Sequence, residues 1–175
     1  MVLRSSILFL IVTILLSCSN QITQIMTNTE SDAIVKEVKA KMEMITQYSE
    51  KAQLDSFLKG YDNSPDFLAI SADGKMRNCE EFKMIATEYY GSLKEQKVVT
   101  LIEKYHVIDK DLVISGWTGN ITAQFKNGDT MIMKNYSITS VLRKFRDDWK
   151  IIHSHESSLP PAIIKKDGAG KAGSA

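Results

Sequence analysis

Leu112-Val113-Ile114-Ser115-Gly116-Trp117-Thr118-Gly119-Asn120-Ile121-Thr122-Ala123-Gln124-Phe125 is the stretch that decides the fold. It is rich in β-branched and aromatic residues, carries no charge, and reads as one long strand. Asn127-Gly128 follows it, the strongest hairpin signal in the chain, because both residues tolerate positive φ. Thr130 to Phe145 then reads as a second long strand, Arg146-Asp147-Asp148 as a turn, and Trp149 to Ser157 as a third strand. Upstream, Val98 to Ile108 has the same character and is turned by Asp109-Lys110-Asp111. The second half of the chain is therefore expected to be a meander of long antiparallel strands.

The first half follows a different period. Thr29-Glu30-Ser31-Asp32 fits a helix start, a hydroxyl followed three residues later by a carboxylate. Ile34, Val38, Met42, Ile45, Tyr48 and Ala52 then recur at three- and four-residue steps, the mark of an amphipathic helix. Leu54, Phe57, Leu58 and Tyr61 continue a shorter helix that Gly60 closes. After the turn cluster Asp62-Asn63-Ser64-Pro65 comes a short strand, Phe67 to Ser71, with Asp73-Gly74 as its turn. Asn78 caps a further helix, with Glu81 at its third position and Phe82, Ile85, Ala86, Tyr89 and Leu93 as its apolar stripe. Helices first and strands after predict an α+β fold, with helices covering one face of a curved antiparallel sheet.

Composition narrows the function classes. Of 175 residues, 43% are hydrophobic and 25% charged, ordinary for a globular protein. Lys plus Arg number 22 against 21 Asp plus Glu, so no net charge draws the chain to nucleic acid. No glycine-rich phosphate loop, Gly-x-Ser-x-Gly elbow or Cys-x-x-Cys pair is present.

The amino terminus stands apart. Arg4 precedes an uncharged apolar run, Ile7 to Leu16, of signal-peptide length rather than membrane-span length. Leu15-Leu16-Ser17-Cys18 resembles the bacterial lipobox. That resemblance implies cleavage before Cys18, lipidation of its thiol and a membrane anchor; several acyl chains on one residue hold stably where a single chain does not. Ser19, rather than Asp, after the cysteine points to the outer membrane if the host is Gram-negative. The expected organisation is a signal peptide over 1–17, a tether over 18–28, one domain over 29–161 and a flexible tail over 162–175. Of the two cysteines, only Cys79 would then remain free, so no intrachain disulfide is available. It reads as a small buried hydrophobe.

Asp148-Trp149-Lys150-Ile151-Ile152-His153-Ser154-His155-Glu156-Ser157-Ser158 is similar to the terminal strand of SnoaL-like domains and of the association domain of calmodulin-dependent kinase II. With the order of elements, it makes the chain resemble the nuclear transport factor 2-like (NTF2-like) superfamily, which includes ketosteroid isomerases. The resemblance implies a cone: helices fill the wide end of a bent sheet and leave a pocket. Members isomerise, cyclise, dehydrate, bind ligands or only dimerise, so the fold alone selects no function. In the kinase association domain an Arg occupies the position of Glu156, which puts an anion-binding pocket of that type in doubt.

Plain alternation sorts the side chains. Trp149, Ile151, His153 and His155 fall on one face of the last strand, and Ile152, Ser154 and Glu156 on the other. Tyr136, Ile138, Ser140 and Leu142 fall opposite Met131, Met133, Asn135, Ser137 and Thr139. Expected pocket-lining residues are Tyr48, Tyr89, Trp117, Tyr136, Ser140, Ser154 and Glu156. A carboxyl in an apolar cavity has its charged form disfavoured, which would suit Glu156 to proton exchange near neutral pH; on the residues alone, a solvated strand-end acid is the commoner outcome. His106 is a second candidate for acid–base work, though a lone histidine is usually structural. His153 and His155 project to the same side and are expected at a subunit interface, a homodimer, rather than around a metal, since no third ligand is evident. No cofactor is implied. The leading expectation is a lipid-anchored domain that binds a small, mostly apolar ligand or a partner without chemistry. Its rivals are an isomerase or cyclase that uses Glu156, and a dimeric interaction module.

Overall fold

The protein was analysed as a computed structural model that describes residues 26–166. The signal peptide, Cys18 and the last residues of the tail lie outside the described residues. Helix α1 spans Asn28–Glu50 and opens on a reciprocal capping box between Thr27 and Glu30. The start is thus two residues earlier than the Thr29/Asp32 pair predicted, because Glu30 reaches both the backbone and the hydroxyl of Thr27. Thr27 and Asn28, assigned above to the tether, belong to the domain. The short α2, Leu54–Leu58, and then α3, Cys79–Ser92, complete the helices. Asn78 and Glu81 form the second capping box, where the sequence placed it.

The strands are β1 (Leu68–Ile70), β2 (Met76–Arg77), β3 (Leu93–Asp109), β4 (Leu112–Phe125), β5 (Thr130–Phe145), β6 (Asp148–Ser157) and β7 (Ala162–Ile164). They form one sheet in the order β2-β1-β6-β5-β4-β3, with β7 on the far end of β5. Strand β1 runs parallel to β6, so the sheet is mixed rather than a pure antiparallel meander. Strand β7 lies in the segment expected to be a flexible tail. It pairs with Thr130 to Ile132, and Lys165 and Lys166 both bond Asp129 beyond it. Backbone pairing and these ion contacts hold the segment down.

Period-2 alternation does not survive the length of the strands. The β3–β4 register slips at Leu101, the β4–β5 register at Lys134–Asn135 and the β5–β6 register at Ile152. Each is a β-bulge, which bends its strand and resets which face follows. Asn135 supplies the positive φ of 52° that its bulge needs. Two facing assignments made above are therefore corrected. Trp149 and Ile151 share the inner face with Ser154 and Glu156, while His153 and His155 turn outward. Met131 and Met133 share the inner face with Tyr136, Ile138 and Ser140.

Helix α1 lays Val38 and Ile45 onto Val113, Leu142, Trp149 and Ile151, the centre of the core. Burial of each such side chain contributes about 1.5–3 kcal/mol. Gly60 lets α1 come close: a Cβ there would sit 2.5 Å from Ile45 Cδ1. Among the described residues no helix is long and apolar enough to cross a membrane. Because Asn78 caps α3 with both halves of its box made, Asn78→Ala is expected to cost about 1 kcal/mol. Urea unfolding should show a lower midpoint at an unchanged slope.

Candidate functional site

A hollow forms where the floor is low and the roof is stiff. Ser115, Ser140, Ser154 and Ala69 lie directly opposite one another across β4, β5, β6 and β1, a row of small side chains over the concave face. Above them, Phe57 and Tyr61 pack on Phe82 and Tyr90, with ring centroids 4.7–6.5 Å apart. Rings braced against one another at these separations gain from edge and offset contacts and have no room to drop toward the sheet. The helices therefore do not pack flush. Two hollows remain, of about 290 Å³ and about 440 Å³.

The larger hollow holds Glu156, Tyr136 and the Asp73–Arg77 pair. Glu156 at the end of β6 enters it opposite Ile138, with Tyr136 on the diagonal. Burial raises the Glu156 carboxyl above its ordinary value. Tyr136, the Ala72 backbone and the Arg77 charge pull it down, and Asp73 pushes it up again. Tyr136 is raised in turn by burial and by the adjacent carboxylate, and Tyr89 is pushed up to about 12 by burial. All of these phenols stay protonated at neutral pH and act as donors. Arg77 holds Asp73 by two parallel bonds of 2.9 and 2.7 Å. That pair stiffens the β1–β2 turn, which forms one wall. Deeper in, Tyr89 donates to Gln96 at 2.6 Å, Gln96 bonds Ser49, and Ser49 meets the Tyr90 hydroxyl at 2.7 Å. This chain ties α1, α3 and β3 together.

The smaller hollow lies between α1 and strands β3 to β5. Trp117 forms part of its wall and donates its indole N–H to Thr100 at 2.9 Å. Its ring lies over Gly119, where a Cβ would stand 2.3 Å from the ring. Glycine is required there by close approach.

Of the residues singled out from sequence, Tyr89, Trp117, Tyr136, Ser140 and Glu156 line the two hollows. Tyr48 does not; it faces a separate groove with Lys41 and Asp148 on the other side of α1. Ser154 is buried, 3% exposed, beside Ala69 of the neighbouring β1, and lines neither hollow. His106 is exposed on the outer face of β3 between Lys104 and Ile108, remote from Glu156, so acid–base work in the pocket does not reach it. His153 and His155 lie on the outer face of β6; His153 Nδ1 bonds the Leu68 carbonyl at 2.9 Å. Cys79 is buried beneath the Asp62–Asn63 turn, its thiol 3.3 Å from Asn63 Oδ1. Arg77 and Gln96 were not singled out from sequence, Asp73 read only as part of a turn, and Met131 and Met133 fell on the face opposite Tyr136. Only Asn135, a positive-φ residue inside a strand, could have signalled the shift that brings the methionines in. Among the described residues no three His, Cys, Asp or Glu side chains converge as a metal site.

The profile of the SnoaL-like domain matches residues 38–162. The chain belongs to this family. No curated protein matches it in sequence. Solved structures share the fold at low identity. An NTF2-like superfamily protein from Salmonella enterica aligns with a TM-score of 0.63 at 19% identity, over 81% of this chain and 99% of its own. A scytalone dehydratase candidate from Novosphingobium aromaticivorans gives 0.69 at 6% identity, over 78% and 91%. A ketosteroid isomerase-like protein from Erwinia carotovora gives 0.59 at 12%, over 72% and 96%. These establish the NTF2-like cone for this SnoaL-like domain, with its curved mixed sheet and few helices.

The raised Glu156 carboxyl has a consequence for stability. A neutral Glu156 favours the folded state, so its contribution is complete below the ordinary carboxylate range and is lost as pH rises through the folded value. Glu156→Gln should therefore melt higher than the parent at neutral and alkaline pH. The two melting curves should converge in acid.

Proposed function

We propose that this SnoaL-like domain binds a small, mostly apolar ligand in the hollow between helices and sheet. The observation that carries the reading is the larger hollow, about 440 Å³, walled largely by aromatic and aliphatic side chains with Glu156 and Tyr136 converging in it. Its volume falls within the usual range of ligand sites, and a few placed polar groups in an apolar wall are what orient a ligand. Native mass spectrometry of the protein purified from its own host tests this. A retained small molecule is expected, and a bare polypeptide mass together with no binding of apolar probes would count against it.

A second reading is acid–base catalysis, isomerisation or cyclisation, and one observation favours it: a carboxyl with raised proton affinity beside a phenol donor inside an apolar cavity. Glu156 would take a proton from carbon and Tyr136 would hold the oxygen that gains charge. Once a substrate is known, Glu156→Gln should lower turnover by about a hundredfold or more while the protein still unfolds cooperatively, at or above the parent's melting temperature. Unchanged turnover would leave binding alone.

The placement we propose is the cell envelope, with Cys18 lipidated and the domain tethered outside the membrane. Intact-mass analysis of the mature protein should show acyl mass on Cys18, and Cys18→Ser should release the domain into the soluble fraction. A homodimer through the outer sheet face fits the exposed Val99, Ile102 and Ile108 of β3, which surround His106; sedimentation at rising concentration checks it.

A further inference from the structure

The two hollows are not independent. Ser49, Phe57, Tyr61, Ile121 and Ile138 belong to the walls of both, and form a collar where one meets the other. On one side of the collar are Glu156, Tyr136 and the Asp73–Arg77 pair. On the other are Trp117, Tyr105, Val98 and Met42. The two ring donors of the second side are engaged, the Trp117 N–H by Thr100 and the Tyr105 hydroxyl by Glu103. No buried side-chain donor or acceptor is left without a partner among the described residues. Met42, Ile45, Val98, Trp117, Ile138 and Ile151 make most of that lobe's wall apolar, so it favours an apolar group, and a polar group pressed against those side chains would lose its hydrogen bonds to water.

We infer that the two hollows are one channel for an elongated ligand, with an uncharged hydroxyl-bearing head between Glu156 and Tyr136 and an apolar tail that passes the collar and ends against Trp117. This rests on the ligand-binding reading above and adds the shape and charge of the ligand. The head is uncharged because the charges around it are uneven. Arg77 is taken by Asp73 in a two-bond pair, so Asp73, Arg77 and an ionised Glu156 together carry one net negative charge, which repels an anion. A hydroxyl can donate to Glu156 and accept from Tyr136. The tail is apolar and long because the second lobe lies beyond the collar and its wall is mostly apolar.

Straight-chain alkanols of four, six, eight and ten carbons, named as butanol, hexanol, octanol and decanol, serve as probes on the purified full chain, with octanoate as the charged control. The Kd should fall by roughly fourfold per added methylene until the far lobe is filled. Tryptophan emission should shift with the longer probes only, and the shift should vanish in Trp117→Phe. Trp149, the other tryptophan, is buried and bonded to Glu37 and contributes a constant background. Filling the far lobe with Val98→Phe, or independently with Met42→Phe, both of which line only that lobe, should leave butanol binding in place and abolish the gain with length. At mildly alkaline pH octanoate should bind at least tenfold more weakly than octanol, and Glu156→Gln should narrow that gap. Binding that is blind to tail length, with a silent Trp117, would overturn the channel and leave the pocket reading standing. Octanoate binding as tightly as octanol would overturn the uncharged head. Failure of every alkanol to bind would take the pocket reading down with it.

Discussion

A strand has a side-chain period of two, and everything in this domain depends on that period being broken at set places. Strands as long as β3, β4 and β5 must bend to wrap the helices, and a bent strand with strict alternation would bring the wrong face inward past the bend. The bulges at Leu101, Lys134–Asn135 and Ile152 solve both problems in one step. Each supplies curvature, and each returns the following residues to the concave side. Without the slip at Ile152, the face that carries Trp149 and Ile151 would present His153 and His155 to the interior. With it, the same strand buries two large apolar side chains at one end and delivers Glu156 to the hollow at the other.

The hollow costs stability, and its position shows how that cost is contained. Large side chains cluster where α1 meets the sheet, around Val38, Leu142, Trp149 and Ile151. Small ones form the row Ser115, Ser140, Ser154 and Ala69, where the roof is instead held by aromatic rings packed on one another. Apolar contact that the floor forgoes is partly recovered within the roof. The polar groups follow the same division. Ser49, Gln96, Tyr89 and Tyr90 satisfy each other, Arg77 satisfies Asp73, and Glu156 is left as the carboxyl with raised proton affinity. A site whose other polar groups are mutually satisfied concentrates its chemistry at one atom group.

Much of the fold was legible because turn chemistry is local. Asn127-Gly128 and Asp109-Lys110-Asp111 bound β4 at Leu112 and Phe125, and Asn78 with Glu81 announced α3. The superfamily resemblance carried by residues 148–158 supplied the cone. What was not legible depended on pairing between distant strands. A bulge adds one residue without altering composition, so alternation counted from Trp149 assigned Glu156 and Ser154 to the wrong side relative to Ile151. Arg77 was invisible because its strand is two residues long and owes its place to β1, which in turn owes its place to β6. Strand β7 was hidden by the glycine-rich residues that follow it. Tyr48 kept the helical period of its neighbours, yet the stripe is wider than the face that meets the hollow.

The parallel pairing of β1 with β6 joins the beginning of the domain to its end. Gly60 and Asp62 also exchange backbone bonds with Ile151, more than eighty residues downstream. During synthesis the three helices and the β1–β2 hairpin leave the ribosome long before the strand that must receive them. Leu142, Trp149 and Ile151, which complete the core under α1, and β6, which pairs β1, come last, and such long-range closure is slow and exposes sticky surface. For the export proposed above, that delay would be a gain. A protein that cannot complete its fold until the last strand arrives stays threadable through a translocation pore for longer than one that folds from its amino terminus.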